Sequence, residues 1–177
     1  MPIETEVKIK INAVEPIKQK LLEMKAELYK KRALQTDIYL DNGRLRKKDQ
    51  TLKIRDNAIF TYKGPSQKKN NIRSNEEIEI MIDNAAHLQL LLERLGYKQY
   101  WKKERYRESY LVNMTQICID ETPMGNFIEI EGKKENIVDI AKQLGFSQKN
   151  FIADGYGKLW REFAKQNKRK GDMVFQK

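Results

Sequence analysis

Charged side chains of both signs occupy alternate positions in several short segments of this 177-residue chain. In residues 3–11, Glu4, Glu6 and Lys8 alternate with mostly apolar residues. Clustered carboxylates are hard oxygen ligands for Mg²⁺ or Mn²⁺, and lysine and arginine are the usual donors to phosphate. Residues of these types on one surface would suit a metal-bound polyphosphate.

This alternation predicts strands, because a period of two places successive side chains on opposite faces of a sheet. Besides 3–11, the pattern predicts strands at 36–41, 51–56, 59–63, 76–82, 100–111, 115–122 and 126–132. The charged faces carry the acids Glu4, Glu6, Glu77, Glu79, Asp120, Glu129 and Glu131. They also carry the bases Lys8, Lys53, Arg55, Lys63, Arg73, Lys103 and Arg105, with Arg107 next on the same face as Arg105.

Amphipathic helices are predicted between the strands, and they need an apolar surface to cover. One begins near Pro16 and carries Ile17, Leu21, Met24 and Leu28, and others follow Asn84, precede Gly145 and span 159–164. If these helices cover the apolar strand faces, the charged faces point the other way. About eight strands suffice to close a barrel with a small lumen. We therefore expect an α+β fold, a closed antiparallel eight-stranded β-barrel with a charged interior and helices outside.

Turn signals predict how the strands connect. Asp56-Asn57 is typical of a tight hairpin turn, and Pro123-Met124-Gly125 joins another strand pair. The polar segment 64–74 is predicted to be a mobile loop. No linker divides the chain, so we expect one domain over 1–166, followed by a basic tail, 167–177, that frays at the surface.

Composition excludes several classes of protein. The chain has 35 Lys and Arg against 25 Asp and Glu, a net charge of +10, which predicts an anionic partner. A single cysteine, Cys118, excludes an intramolecular disulfide framework, and a single histidine, His87, makes histidine-based metal sites improbable. No apolar run is long enough for a membrane span, and the first residues lack a signal-peptide core. A cytoplasmic protein without membrane contact is expected.

The motifs together resemble the CYTH superfamily, the triphosphate tunnel metalloenzymes, which includes class IV adenylyl cyclases and thiamine triphosphatases. Glu4-Thr5-Glu6-Val7-Lys8 matches the family's N-terminal Glu-x-Glu-x-Lys signature. The other matching segments, in order, are 35–39, Leu52-Lys53-Ile54-Arg55, 61–65, Arg73 with Glu77 and Glu79, Lys103-x-Arg105, and 125–131. Lys53 departs from the family's arginine.

The resemblance implies a tunnel in which bases clasp a triphosphate and acids hold one or two divalent ions, Mg²⁺ or Mn²⁺. It implies phosphate contacts from Lys8, Lys53, Arg55, Lys63 and Arg105, and the lumen bases Arg73 and Lys103 are further candidates. Asp120, Glu129 and Glu131 would hold a first metal, and Glu4 and Glu6 a second. Glu77 and Glu79 would bind metal or orient the bases. Some triphosphatases resembling this chain use a lysine–tyrosine pair as the base, here Lys8 and Tyr39; the alternative is that Tyr39 only packs.

Three functions fit these residues. The first is a class IV adenylyl cyclase-like enzyme that converts ATP to cyclic AMP and pyrophosphate. The second is hydrolysis of tripolyphosphate, thiamine triphosphate or a nucleoside triphosphate. The third is a barrel that holds polyphosphate or RNA without chemistry. Nucleic acid is not the expected partner, because seven aligned carboxylates repel a phosphate backbone unless metals intervene. A small-molecule triphosphate is expected, and a homodimer is the default assembly.

Overall fold

Eight antiparallel strands close into a barrel in the computed structural model, which describes residues 3–176. The strands are β1 Ile3–Ile11, β2 Glu27–Asp41, β3 Thr51–Arg55, β4 Ile59–Lys63, β5 Gln67–Lys69, β6 Ile72–Met81, β7 Lys98–Val112, β8 Thr115–Thr122 and β9 Gly125–Glu131. The helices are α1 Glu15–Glu23, α2 Ala85–Arg94, α3 Lys134–Gln143 and α4 Tyr156–Gln166. The expected fold class is confirmed.

The barrel closes between its first strand and β6. The order around it is β1, β9, β8, β7, β2, β3, β4 and β6, and β6 pairs back onto β1 with Glu6 opposite Arg73. The short β5 is a ninth strand that pairs with the start of β6. Closure pairs the backbone N–H and C=O groups that an open sheet would leave unpaired at its two edges.

The apolar strand faces point outward and lie under the helices. Helices α1 and α3 bury Leu21 and Ile137 against Val7 and Ile128, so this cluster forms the main core outside the barrel wall. Helix α2 covers β3 in a second cluster, and α4 forms a third. Because the apolar faces are used outside, the charged faces are left to line the interior, as predicted. Among residues 3–176, no helix combines the length and apolarity needed to cross a bilayer.

Paired asparagine and aspartate residues make two tight hairpin turns. Asp56 and Asn57 have φ of 51° and 54° between β3 and β4, which confirms the predicted turn. Asn70 and Asn71, with φ of 54° and 59°, join β5 to β6 in the same way. The prediction of a mobile loop over 64–74 was therefore wrong: two residues that tolerate the left-handed region support a hairpin there.

The first helix is shorter than its apolar spacing predicts. Helix α1 ends at Glu23, and Lys25 takes a left-handed φ of 54° while donating to Leu22 O. Leu28, which the spacing assigned to this helix, lies instead in β2, which begins nine residues before the predicted strand start. A chain reversal at a lysine carries no sequence signal, so apolar spacing alone predicts a helix that is too long.

The last described residues are anchored to the barrel, and Lys177, the end of the predicted tail, lies outside the described residues. Met173 is buried and pairs with β7, where its N–H donates to Lys102 O at 3.0 Å and its carbonyl accepts from Glu104 N at 2.7 Å. Trp160 Nε1 donates to Gly171 O at 2.8 Å. The expectation of a frayed end was wrong for this segment, because Met173 supplies an apolar side chain to the α4 cluster.

Candidate functional site

The barrel encloses a charged cavity of about 720 Å³. It is lined by every residue that the sequence analysis placed in the site except Asp120, which is buried in the wall. The volume falls in the usual range for small-molecule sites, about 300–1,000 Å³. The sequence therefore identified a set of side chains that the fold brings together from β1, β2, β3, β4, β6, β7 and β9.

Strand register explains how distant residues meet. Glu6 lies opposite Glu131, and Lys8 lies opposite Glu129, in the antiparallel pairing of β1 with β9. Residues directly opposite each other project from the same face and approach to about 5 Å. This register therefore places Glu6 and Lys8 of β1 beside Glu131 and Glu129 of β9 inside the barrel.

Three carboxylates converge on one point of the lumen. Glu4, Glu6 and Glu131 each offer an oxygen, and these oxygens lie within 4.8 Å of one another. Burial raises the pKa of Glu131 to about 7, and the charges of Glu4 and Glu129 add to the rise against the pull of Arg107. A set of hard oxygen donors at this separation fits Mg²⁺ or Mn²⁺, whose remaining ligands would be water and phosphate.

A second group of acids is already held by arginine. Asp120 accepts from Arg107 Nε and Nη2, both at 2.6 Å, and from Arg105 at 3.2 Å. Arg107 also pairs with Glu129, and its Nη1 lies 3.7 Å from Glu131. The structure therefore groups Glu131 with Glu4 and Glu6, whereas the assignment of Asp120 and Glu129 to a metal stays a prediction.

Lys8 and Tyr39 line the same cavity but make different contacts. The Lys8 ammonium lies 2.8 Å from Glu6 Oε1 and 3.1 Å from Glu129 Oε1. Burial opposes its charge, but these carboxylates outweigh burial and raise the pKa of Lys8. The Tyr39 ring packs on Trp101 at 4.7 Å between centroids. Within the part of the chain that the structure describes, no hydrogen bond joins the side chains of Lys8 and Tyr39.

On β4, Lys63 lies between two carboxylates. It pairs with Glu4, and with Glu77 Oε2 at 2.7 Å. Burial and the hydrogen bond with Glu4 raise the pKa of Glu77 to about 8. Burial opposes ionisation of Glu4 as well, but that hydrogen bond and Lys63 lower its pKa to about 2. The two carboxylates are therefore coupled, and they share one proton between them at neutral pH.

Asp37 organises the basic wall, although the sequence analysis gave it no role. Its carboxylate is fully buried, 2.6 Å from Lys103 Nζ and 3.1 Å from Arg55 Nε. Burial disfavours the charge, but Lys103, Lys53 and Arg55 lower the pKa of Asp37 well below its usual range. Asp37 lies two positions before Tyr39 on one strand face, and this spacing was the signal available to find it.

Two further bases lack a carboxylate partner among residues 3–176. Lys53 is buried but makes no ion pair, and Arg73 makes none either, while its buried Nε has no hydrogen-bond partner. Buried donors are nearly always satisfied in folded proteins. Unpaired cations in a lumen indicate an anion as the missing partner, and a phosphate chain fits these donors.

Arg107 and Tyr156 also belong to the site and were not assigned to it. The two-residue spacing placed Arg107 beside Arg105, which was the signal for its position. Tyr156 begins α4 and donates from its hydroxyl to Asp120 Oδ2 at 2.7 Å. No strand periodicity marks a residue that enters the lumen from a helix.

Lys53 gives the site a testable pH dependence. Burial lowers the pKa of Lys53 to about 8, helped by Arg55 and Lys63 and opposed by Asp37. Above pH 8 the free protein therefore loses a cation that a phosphate chain would use. We expect the affinity for tripolyphosphate, measured by calorimetry in EDTA, to fall by up to about tenfold per pH unit from this one proton.

The matched variant is Lys53→Arg, because arginine keeps its charge over this range. Titration of the ligand is common to both proteins, so the difference between their pH profiles isolates Lys53. Identical profiles for the two proteins would contradict the assignment of Lys53 to the phosphate chain.

Comparisons with known proteins agree with this geometry. The CYTH domain family model matches residues 2–156. A Methanocaldococcus jannaschii protein named "Putative adenylate cyclase MJ0240" is 30% identical over 173 residues, covering 89% of this chain and 98% of that protein.

Two solved structures share the fold. A Vibrio parahaemolyticus protein described as a "putative adenylate cyclase" superposes with a TM-score of 0.81 at 18% identity, covering 90% of this chain and 98% of that one. The Hippeastrum protein HpAC1, described as a "putative adenylyl cyclase" with a dominant triphosphatase activity, has a TM-score of 0.62 at 18% identity, with 94% and 97% covered. With the family model matching most of its length, the chain belongs to the CYTH domain family.

Proposed function

We propose that the protein is a divalent-metal-dependent enzyme that acts on the phosphate chain of a soluble triphosphate, and that its reaction is the conversion of ATP to cyclic AMP and pyrophosphate. The action on a metal-bound triphosphate is supported by one observation. Lys53 and Arg73, which make no ion pair among residues 3–176, share one cavity with a cluster of three carboxylates. The name of the M. jannaschii relative supports the conversion of ATP to cyclic AMP.

The chain's own residues would position and neutralise the substrate. Lys53 and Arg73 would donate hydrogen bonds directly to phosphate oxygens, because neither side chain would have to break an ion pair first. Asp37 keeps Lys103 and Arg55 aligned toward the lumen. Glu4, Glu6 and Glu131 would hold the metal, which when bound lowers the pKa of an attacking hydroxyl and offsets charge on the leaving group.

Positioning is the main requirement of cyclisation and of hydrolysis alike. In cyclisation the ribose 3′ oxygen bonds to the α-phosphorus, the bond from that phosphorus to the α–β bridging oxygen breaks, and pyrophosphate leaves with the electron pair. In hydrolysis a water oxygen bonds to the terminal phosphorus, the bond from that phosphorus to its bridging oxygen breaks, and the remaining diphosphate leaves with the electron pair as orthophosphate forms. In both reactions the proton of the attacking hydroxyl or water passes to a base or to solvent. Hydrolysis is the second candidate reaction, because a protein of the same fold, from Hippeastrum, is described as having a dominant triphosphatase activity.

Product identification separates these reactions. The purified protein is incubated with ATP or tripolyphosphate, with Mg²⁺ or Mn²⁺, and products are resolved by chromatography. Cyclic AMP with equimolar pyrophosphate supports the cyclase, and orthophosphate from either substrate supports the hydrolase. Absence of turnover with every pair, while tripolyphosphate still binds in a chelator-insensitive way, would contradict the enzyme and support a binding barrel.

Replacement of Tyr39 tests the lysine–tyrosine base. Burial and the charge of Asp37 raise the pKa of Tyr39, so its hydroxyl stays protonated at neutral pH and the phenolate that would accept a proton is scarcely populated. Loss of a general base costs about 10²–10⁴-fold in rate. We expect Tyr39→Phe, which keeps the ring on Trp101, to lose far less than this in steady-state assays of the active substrate. A loss of about 10² or more, with unchanged thermal stability, would instead establish Tyr39 as part of the base.

A further inference from the structure

An irregularity in the barrel wall turns one aromatic side chain toward the cavity. In the pairing of β2 with β7, Tyr39 lies opposite Trp101 but Leu40 lies opposite Gln99, so Tyr100 has no partner in register. A β-bulge of this kind bends the strand and re-aims the extra residue's side chain, and bulges are frequent beside active sites. Tyr100 lines the same cavity as the phosphate-binding candidates and stays 38% exposed.

An arginine is fixed over this tyrosine. The Arg46 guanidinium carbon lies 4.2 Å from the centroid of the Tyr100 ring. Asp41 holds it there, with Arg46 Nε donating to Asp41 Oδ2 at 2.6 Å. Asp41 is itself fixed, because its other oxygen accepts from the backbone N–H groups of Gly43 and Leu45, each at 3.0 Å.

The stack of Tyr100 and Arg46 is open on its outer side. The Arg46 side chain is 57% exposed and also lines the cavity. The guanidinium lies over the ring, and its charge is already paired with Asp41. An arginine held in this way offers a flat surface more than a free charge.

We propose that the exposed face of Arg46, supported by Tyr100, stacks the nucleobase of the substrate while the phosphate chain enters the lumen. This inference rests on the proposed function and adds the two side chains that would contact the base of the nucleotide. Guanidinium planes and aromatic rings are common stacking partners for bases. A neutral base suits this surface, because stacking on the paired guanidinium needs a π-face and no charge.

Stacking is tolerant of base identity, because every base has a π-face. The stack therefore distinguishes nucleoside triphosphates from tripolyphosphate more than it distinguishes ATP from GTP. A change confined to the stack lowers the affinity for both nucleotides and leaves tripolyphosphate unaffected.

The test compares two ligands across four proteins. Dissociation constants for ATP and for tripolyphosphate are measured by calorimetry in EDTA, where turnover is prevented, for the wild type and for Arg46→Lys, Arg46→Ala and Tyr100→Leu. We expect all three variants to bind ATP on the order of tenfold more weakly and tripolyphosphate as the wild type does. Arg44→Ala, which removes an exposed arginine outside the cavity lining, is the matched control and is expected to match the wild type.

The lysine variant decides between stacking and charge. If Arg46→Lys keeps the ATP affinity, or if all three changes weaken tripolyphosphate equally, Arg46 acts as a phosphate contact and the stacking proposal is overturned. Unchanged ATP affinity in Arg46→Ala and Tyr100→Leu would also overturn it, while the proposed function stands on tripolyphosphate binding. If the wild type binds neither ligand, in EDTA or with Mg²⁺, the proposed function itself fails.

Discussion

Replacing Arg107 with alanine is expected to lower the free energy of unfolding by about 3–5 kcal/mol, the cost of breaking a buried ion pair from one side. Arg107 is buried and contacts Asp120, Glu129 and Glu131. Without its guanidinium, the ion pairs left to these carboxylates among residues 3–176 would be those with Arg105 and Lys8. Thermal unfolding in EDTA measures the effect, and for a chain of this length the midpoint should fall by about 6–20 °C.

Arg32→Ala is the matched control, because Arg32 also pairs with a carboxylate, that of Glu121, at 2.6 Å but on the surface. Exposed pairs contribute about 1 kcal/mol or less. A midpoint for Arg107→Ala equal to that of Arg32→Ala would contradict a structural role of Arg107 in the wall. Partial recovery of Arg107→Ala by Mg²⁺ would show that a cation can replace the guanidinium charge among these acids.

The barrel could be predicted because its two faces are chemically opposite. Alternation of apolar and charged residues fixed strand positions, and amphipathic helices fixed which face is outside. The segment 3–11 shows why this worked: a one-residue error in register would have buried Ile9 in the lumen and exposed Glu6 to the helices, so the pattern admits one solution.

The sequence could not show which charges pair. Period-two spacing places Asp120, Glu129 and Glu131 on one inner surface but leaves their partners open. The register between β7 and β8 sets Arg107 opposite Asp120. That register depends on the 113–114 turn, where Asn113 and Met114 have φ of 48° and 59°. Methionine is not a turn residue, so the turn carried little signal.

Two site residues that do not follow regular strand alternation could not be predicted for a different reason. Tyr156 reaches Asp120 only because α4 packs across Phe127 and its end is held by Met173. Tyr100 reaches the cavity mouth only because of a bulge. Both positions follow from tertiary packing, which local periodicity does not encode.

The largest functional effect is expected from Glu131→Gln. Its carboxylate is one of three whose oxygens lie within 4.8 Å of one another, and an amide oxygen in its place is an uncharged and weaker ligand. A bound metal supplies several kcal/mol of transition-state stabilisation, so turnover of the active substrate with Mg²⁺ or Mn²⁺ should fall on the order of 10³-fold. Affinity for Mn²⁺, measured by calorimetry, should fall with it. Glu135→Gln, a change at an exposed acid on α3, should leave both unchanged.

Thermal unfolding in EDTA distinguishes a residue that binds a metal from a residue that only stabilises the fold. Glu4, Glu6 and Glu131 repel one another when no cation lies between them, and the distant contact of 3.7 Å from Arg107 compensates Glu131 only in part. Above pH 7, where Glu131 is ionised, removing its negative charge should therefore raise the unfolding midpoint while it lowers activity. A residue that serves only the fold cannot give that combination, because its loss lowers both. A Glu131→Gln protein that is less stable in EDTA and still binds Mn²⁺ as the wild type does would place the metal elsewhere in the lumen.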